Sequence, residues 1–125
     1  MPISKEAQEA FKQGIAAYWA GDFDAANEQF HHVLHHDATF ADVYYYLGII
    51  CHKQGLPRGA INYLTTAIRL QPDHLDAYFS RAIVYIDRGD LDDAMRDLQQ
   101  YLALGGEDVD EAQTRLDEVR ARLGL

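Results

Sequence analysis

The sequence predicts an all-α fold made by stacking one helix-turn-helix unit about three times. Three observations carry this. Glycines recur at a fixed interval of 34 residues, at Gly21, Gly55 and Gly89. Small and large apolar residues follow in the same register: Ala26, Ala60 and Ala94, then Phe30, Leu64 and Leu98. No stretch shows the strict apolar/polar alternation of a strand. A period of this length over most of a 125-residue chain is the signature of a repeat array, in which each unit buries its apolar face only against its neighbours.

Taken in order, the first helix runs from about Lys5 to Ala20, with the Ser4 hydroxyl placed to cap a free backbone N–H. Gly21 ends it, because glycine enters the left-handed region at little cost. Asp22 then caps a second helix, Phe23 to His36. Thr39 and Asp42 have the spacing of a capping box and open a third helix that runs to Gln54, where Gly55 stops it. Pro57 suits the first turn of a fourth helix, which continues to about Leu70. A fifth starts near Asp73 and Asp76 and breaks at Gly89; a sixth runs from Asp90 to Leu104. Gly105 and Gly106 close the array. Asp108 with Glu111 resembles another capping start, for a seventh helix to about Leu123. Acids at 107, 108, 110 and 111 and arginines at 115, 120 and 122 match the dipole of that helix. Links of two to four residues make neighbouring helices antiparallel. The expected organisation is a single domain, 1–125, with units at 4–40, 41–74 and 75–106 and a final capping helix at 107–123.

Composition narrows the function. Eleven Lys and Arg against twenty Asp and Glu give a net charge of −9. Such a surface repels phosphate backbones, so nucleic acid is excluded as an expected partner, and basic or neutral partners are favoured. The single cysteine, Cys51, excludes an internal disulfide. The N-terminal stretch carries Lys5, Glu6, Glu9 and Lys12, unlike a secretory signal, and no apolar run is long enough to span a bilayer. The expectation is a cytoplasmic protein with no membrane partner.

The middle unit reads Tyr44-x-x-Leu47-Gly48-x-x-Cys51, then Gly55, Ala60, Leu64, Ala67 and Pro72. This resembles the tetratricopeptide repeat pattern, W-x2-L-G-x2-Y…A-x3-F…P. Small Gly48 and Ala60 let two helices approach, Leu47, Leu64 and Ala67 fill the seam, and Pro72 stops the second helix. The first unit keeps Gly14, Gly21, Ala26 and Phe30, with Ala10 in the usual aromatic place and Ala38 in that of proline. The third keeps Tyr78, Ala82, Tyr85, Gly89, Ala94 and Leu98, with Gly106 in place of proline. The resemblance covers residues 7–106 and implies a right-handed superhelical α-solenoid of three units plus a solvating helix.

It also implies that the first helix of each pair lines a concave binding face. On those helices Phe11, Tyr45 and Phe79 recur 34 apart, as do Ile15, Ile49 and Ile83. Each aromatic lies four residues before its isoleucine, so each pair shares one helix face. Tyr18, Trp19, His52 and Ile86 extend the strip by a turn, Tyr46 lies beside it, and Lys12 and Lys53 stand at its edge. The functional reading is a groove for an extended peptide or an amphipathic helix. The structural alternative is ordinary packing between units; the isoleucines are the part least like filler. One subclass of the family clamps a C-terminal carboxylate with Lys, Asn and Arg on this face. Here Phe11, Ile15, Tyr46, Asp76 and Ser80 hold those places, which argues against a carboxylate clamp.

The run His31-His32-Val33-Leu34-His35-His36 presents two i,i+4 histidine pairs, His31 with His35 and His32 with His36, a spacing able to offer two imidazoles to Zn²⁺, Ni²⁺ or Cu²⁺. No third ligand is evident, and a polar outer face with Val33 and Leu34 turned inward is the favoured reading, so no metal and no cofactor is expected. Cys51 fits a buried small apolar residue rather than a nucleophile. With no catalytic triad order, phosphate loop or nucleotide turn, the chain is expected to be non-enzymatic: an interaction module for a protein or peptide partner. Its alternatives are a self-associating scaffold and, behind that, a metal-binding protein.

Overall fold

A computed structural model describes residues 3–125. Its helices are α1 (Lys5–Trp19), α2 (Phe23–His36), α3 (Ala41–Lys53), α4 (Pro57–Leu70), α5 (Leu75–Arg88), α6 (Leu91–Ala103) and α7 (Val109–Arg122), with no strand among the described residues. Helices α1 and α2, α3 and α4, and α5 and α6 form three hairpins. The hairpins stack in chain order, and α7 covers the exposed side of α6. The fold is an all-α solenoid.

The turn within each hairpin is the same object three times. Gly21, Gly55 and Gly89 have φ of 78°, 75° and 82°. The residue after each glycine donates its N–H back to Ala17 (2.9 Å), Cys51 (2.9 Å) or Tyr85 (2.8 Å), three carbonyls that are themselves 34 apart. The glycine N–H closes the inner bond to Tyr18, His52 or Ile86. This is the paired-bond closure of a helix end, and only a residue without a Cβ adopts it cheaply.

Within the hairpins, close approach depends on missing side chains. A Cβ on Gly48 would stand 2.7 Å from Leu64 Cγ, and one on Gly14 would stand 2.6 Å from the Phe30 ring. Leu64 and Phe30 are fully buried, so neither can retreat into solvent. The buried core falls into three zones. Phe30, Val33, Leu47 and Ile50 lie at the first end, Leu64, Ala67 and Val84 in the middle, and Leu98, Tyr101, Leu116 and Val119 under the final helix.

Helix starts differ from the sequence expectation in instructive ways. Ser4 and Asp22 cap as expected, accepting the Ala7 and Ala25 N–H groups at 3.1 Å each. The Thr39/Asp42 capping box does not form. Phe40 occupies the N-cap without a side-chain bond; Thr39 donates both its N–H and its hydroxyl to Asp37 Oδ1 (2.9 and 2.6 Å), and Asp42 turns to another helix. Nor does Asp108 cap α7 through its side chain: its N–H donates to Tyr101 Oη (3.0 Å), while Glu111 pairs with Arg115. The fifth helix begins at Leu75, one residue before Asp76, and its cap is His74, whose Nδ1 accepts the Ala77 N–H at 3.1 Å. Thr39 and Asp42 found nearer or better-fixed partners than the helix end, which sequence spacing alone does not register, whereas at Asp108 only the backbone N–H is held.

Candidate functional site

The candidate site lies where α1, α3 and α5 face one side of the stack. Their concave surface holds a cleft of about 230 Å³ lined by Tyr18 of α1, Ile49, His52 and Lys53 of α3, and Phe79, Ser80 and Ile83 of α5, with buried Leu64 and Val84 at its floor. The 34-residue period is the cause: Ile49 and Ile83 occupy one register position and project from successive parallel helices onto the same surface. His52 Nε2 lies 2.7 Å from Asp87 Oδ2, tying the last turn of α3 to that of α5 at one rim.

Of the residues singled out from sequence, Tyr18, Ile49, His52, Lys53, Phe79 and Ile83 meet at this cleft. The others lie elsewhere. Phe11 packs its ring against Phe40 (centroids 4.7 Å), Phe30 (6.2 Å) and Tyr46 (6.1 Å), and Ile15 packs on the same core zone. Tyr46 is stacked on Phe30 at 5.5 Å and also meets Tyr18 and Tyr45 edge-on. Tyr45 leans on His74 (5.1 Å), and burial together with nearby Asp76 pushes its phenol pKa up to about 12. Ile86 packs on the last core zone. Trp19 touches Tyr18 at 5.1 Å and is otherwise 75% exposed at the end of α1. Lys12 is exposed on α1.

Sequence reasoning missed a set of polar links between units. His74, 6% exposed, has Nδ1 occupied as an acceptor, so Nε2 carries the proton and donates to Asp42 Oδ1 at 2.8 Å. That bond holds the Asp42 carboxyl below the ordinary carboxylate range. Arg81 forms a two-pronged bond to Asp97 (2.8 and 2.7 Å), adds Thr65 at 3.0 Å, and lies over the Tyr78 and Tyr85 rings at 5.9 and 5.8 Å. Burial works against the guanidinium's charge, but the Asp97 carboxylate outweighs it and raises the Arg81 pKa. A periodic signal existed for one of these links. Phe40, His74 and Asp108 are 34 apart, which marks His74 as a helix-start position.

The histidine run lies on α2 with all four rings exposed, Val33 buried and Leu34 half-buried. The His32 and His36 rings are 4.9 Å apart and those of His35 and His36 6.0 Å. No group of three His, Cys, Asp or Glu side chains converges on a metal-sized space among the described residues. Cys51, expected to be buried, is half-buried beside Gly59, and desolvation raises its thiol pKa, which disfavours the thiolate. No helix among the described residues is long and apolar enough to cross a membrane.

A tetratricopeptide repeat model matches residues 47–124, and a second model of the same description matches residues 11–57. No curated protein matches the chain. Among solved structures, the chain is similar to the first such domain of Spaghetti (RPAP3) bound to the HSP90 peptide SRMEEVD, at 18% identity and a TM-score of 0.90, covering 99% of this chain and 100% of that one. It is also similar to the Yersinia enterocolitica type III secretion chaperone SycD in complex with a peptide of the translocator YopD, at 15% identity, TM-score 0.89 and 95% of both chains. A third likeness is to a mutant O-GlcNAc transferase of Thermobaculum terrenum, at 18% identity and TM-score 0.84; it covers 96% of this chain but only 23% of the transferase. At these identities the likeness is one of fold.

Proposed function

The chain belongs to the tetratricopeptide repeat family, and from that premise we propose that it is a non-enzymatic interaction module that binds a peptide or helix of a partner protein in its concave groove. The observation that carries this reading is the cleft in which Ile49, Phe79 and Ile83 converge with Tyr18 on one face. Apolar side chains lining a concave surface gain about 25 cal/mol for each Å² that a ligand covers, before the costs of ordering. The proposed contact residues are Phe11, Ile15, Tyr18, Trp19, Tyr45, Tyr46, Ile49, His52, Lys53, Phe79, Ile83 and Ile86, with the cleft residues at the centre. The two similar structures solved with peptides, Spaghetti and SycD, are precedents for this fold carrying such a ligand. The ligand's main anchor is apolar rather than a C-terminal carboxylate, because Phe11, Ile15, Tyr46, Asp76 and Ser80 offer no cation at the clamp positions.

Ile49→Asp tests the reading. Capture of a partner by the wild-type chain is expected to be lost in the variant, with helicity and melting nearly unchanged. Capture that survives places the ligand elsewhere, and a variant that unfolds assigns Ile49 to the core. Self-association is the second reading, favoured by the exposed Trp19 beside the groove. Light scattering over a dilution series tests it, and a strict monomer at high concentration removes it.

A further inference from the structure

The concave face of α5 runs through two clefts. Phe79 and Ser80 lie three and four residues after Asp76 and four and three before Ile83, so the four share one side of that helix. Phe79, Ser80 and Ile83 line the apolar cleft. Asp76 lines a second one, of about 370 Å³, with Asp42, Asp73, Glu107 and Asp108. The two are joined by Phe79 and Tyr101, whose rings are 5.2 Å apart, Tyr101 lining the acidic cleft. No Lys or Arg lines the acidic cleft among the described residues, and Asp73, Asp76 and Glu107 have no ion-pair partner there. The far rim differs: Lys53 stands there beside the His52–Asp87 pair. The charge is therefore uneven along the groove: unpaired carboxylates at the helix starts, and at the helix ends Lys53 beside an Asp87 carboxylate already held by His52.

Resting on the groove reading above, we infer that the partner is a segment combining apolar side chains with a cationic end, its Lys or Arg residues seated among Asp73, Asp76 and Glu107 and its apolar residues in the Ile49/Phe79/Ile83 cleft. Charge complementarity selects this occupant. Like charges crowded at one end repel one another, and a ligand cation relieves that repulsion where a ligand carboxylate adds to it. Arginine fits better than lysine because its planar fork makes two parallel hydrogen bonds to a carboxylate. The same asymmetry sets the direction in which the segment lies.

A random 12-residue peptide library panned on the folded chain tests this, followed by fluorescence-polarisation titration of the enriched peptides. The expected peptides carry apolar residues and a cluster of Lys or Arg at one end. Their affinity falls as salt is raised from about 50 to about 300 mM. It weakens about tenfold against a chain carrying Asp76→Asn with Glu107→Gln, the upper range for two solvent-facing pairs. Circular dichroism of that variant is expected to match the wild type; reversing the peptide's charge to Glu should weaken binding to the wild type more than to the variant, which keeps Asp42, Asp73 and Asp108 in the cleft. Enriched peptides that are neutral or acidic, or that bind both proteins alike, overturn the charge inference while leaving the apolar groove standing. Peptides indifferent to Ile49→Asp overturn the groove itself, and a panel with no enriched peptide overturns both.

Discussion

In the first two hairpins Gly14 and Gly48 face Phe30 and Leu64, whereas in the third Ala82 stands at the same register position opposite Leu98. The first region closes its seams by omitting a side chain and surrounds them with aromatic rings: Phe11, Phe30, Phe40, Tyr18 and Tyr46. The third accepts a methyl group in the seam and carries instead a largely buried ion pair, Arg81 with Asp97, their side chains 17% and 6% exposed. The junctions between units differ likewise. The turn before α3 is held locally by Thr39 on Asp37, while the turn before α5 is held across units by His74 on Asp42. One repeat pattern thus tolerates two kinds of glue. Apolar packing at the first end is non-directional; the polar links at the other end require defined partners and punish the loss of either one.

The largest test of that contrast is Asp97→Ala, which leaves the Arg81 guanidinium buried without its carboxylate. It is expected to lower unfolding stability by about 3–5 kcal/mol in denaturant titration, while Arg81→Met with Asp97→Leu restores most of it. If the single variant costs no more than an exposed pair would, the third unit is held by packing like the others.

A smaller effect separates the seams. Gly48→Ala forces its methyl against Leu64 Cγ and the Ala60 carbonyl, which lies 3.2 Å from the added carbon. Overpacking of about 1–3 kcal/mol outweighs the helix-propensity gain of up to about 1 kcal/mol, so a net loss is expected. The third seam should respond in the opposite sense to size, with Ala82→Gly losing about 1 kcal/mol through backbone freedom and a vacated methyl site. Melting of the two variants side by side decides it; a Gly48→Ala protein more stable than wild type would mean that the seam has slack.

The smallest test concerns the junctions. His74→Ala removes the α5 cap, worth about 1 kcal/mol, and frees the Asp42 carboxyl. NMR titration is expected to show the Asp42 pKa rising toward the ordinary value near 3.9. The sign follows from its depressed folded pKa. The stabilisation is fully present above the unfolded value and is lost as pH falls through the lower folded one. An Asp42 pKa unchanged by His74→Ala would make the junction bond incidental.

The helix and turn plan was readable from sequence because its causes are local and repeated. Glycine at 21, 55 and 89, alanine five residues later and a large apolar residue four beyond that state the hairpin three times. Ser4 and Asp22 were readable as caps for the same reason, each needing only a backbone N–H three residues ahead. Thr39 and Asp42 were misread because each had a competitor that spacing cannot reveal, Asp37 two residues earlier and His74 in another unit; at Asp108 the Tyr101 hydroxyl holds the backbone N–H and the side chain makes no capping bond. Within the candidate site, the period located Ile49 and Ile83 but did not distinguish Phe79, which lines the cleft, from Phe11, which packs on Phe40 and Phe30 outside it. The same register position lines the cleft or packs on a ring cluster according to what the neighbouring unit supplies.

By itself the sequence determined the number of units, the places where helices stop and the face on which the isoleucines align, since periodicity, glycine conformation and helical pitch act over a few residues. Only the tertiary structure decided which aromatic rings are enclosed, which carboxylates gather into one cleft and which charges pair across units. Those outcomes depend on distances between residues 16 to 35 positions apart in the chain, such as Arg81 to Asp97, Asp42 to His74 and His52 to Asp87. Stacking sets those distances, and no local pattern encodes them.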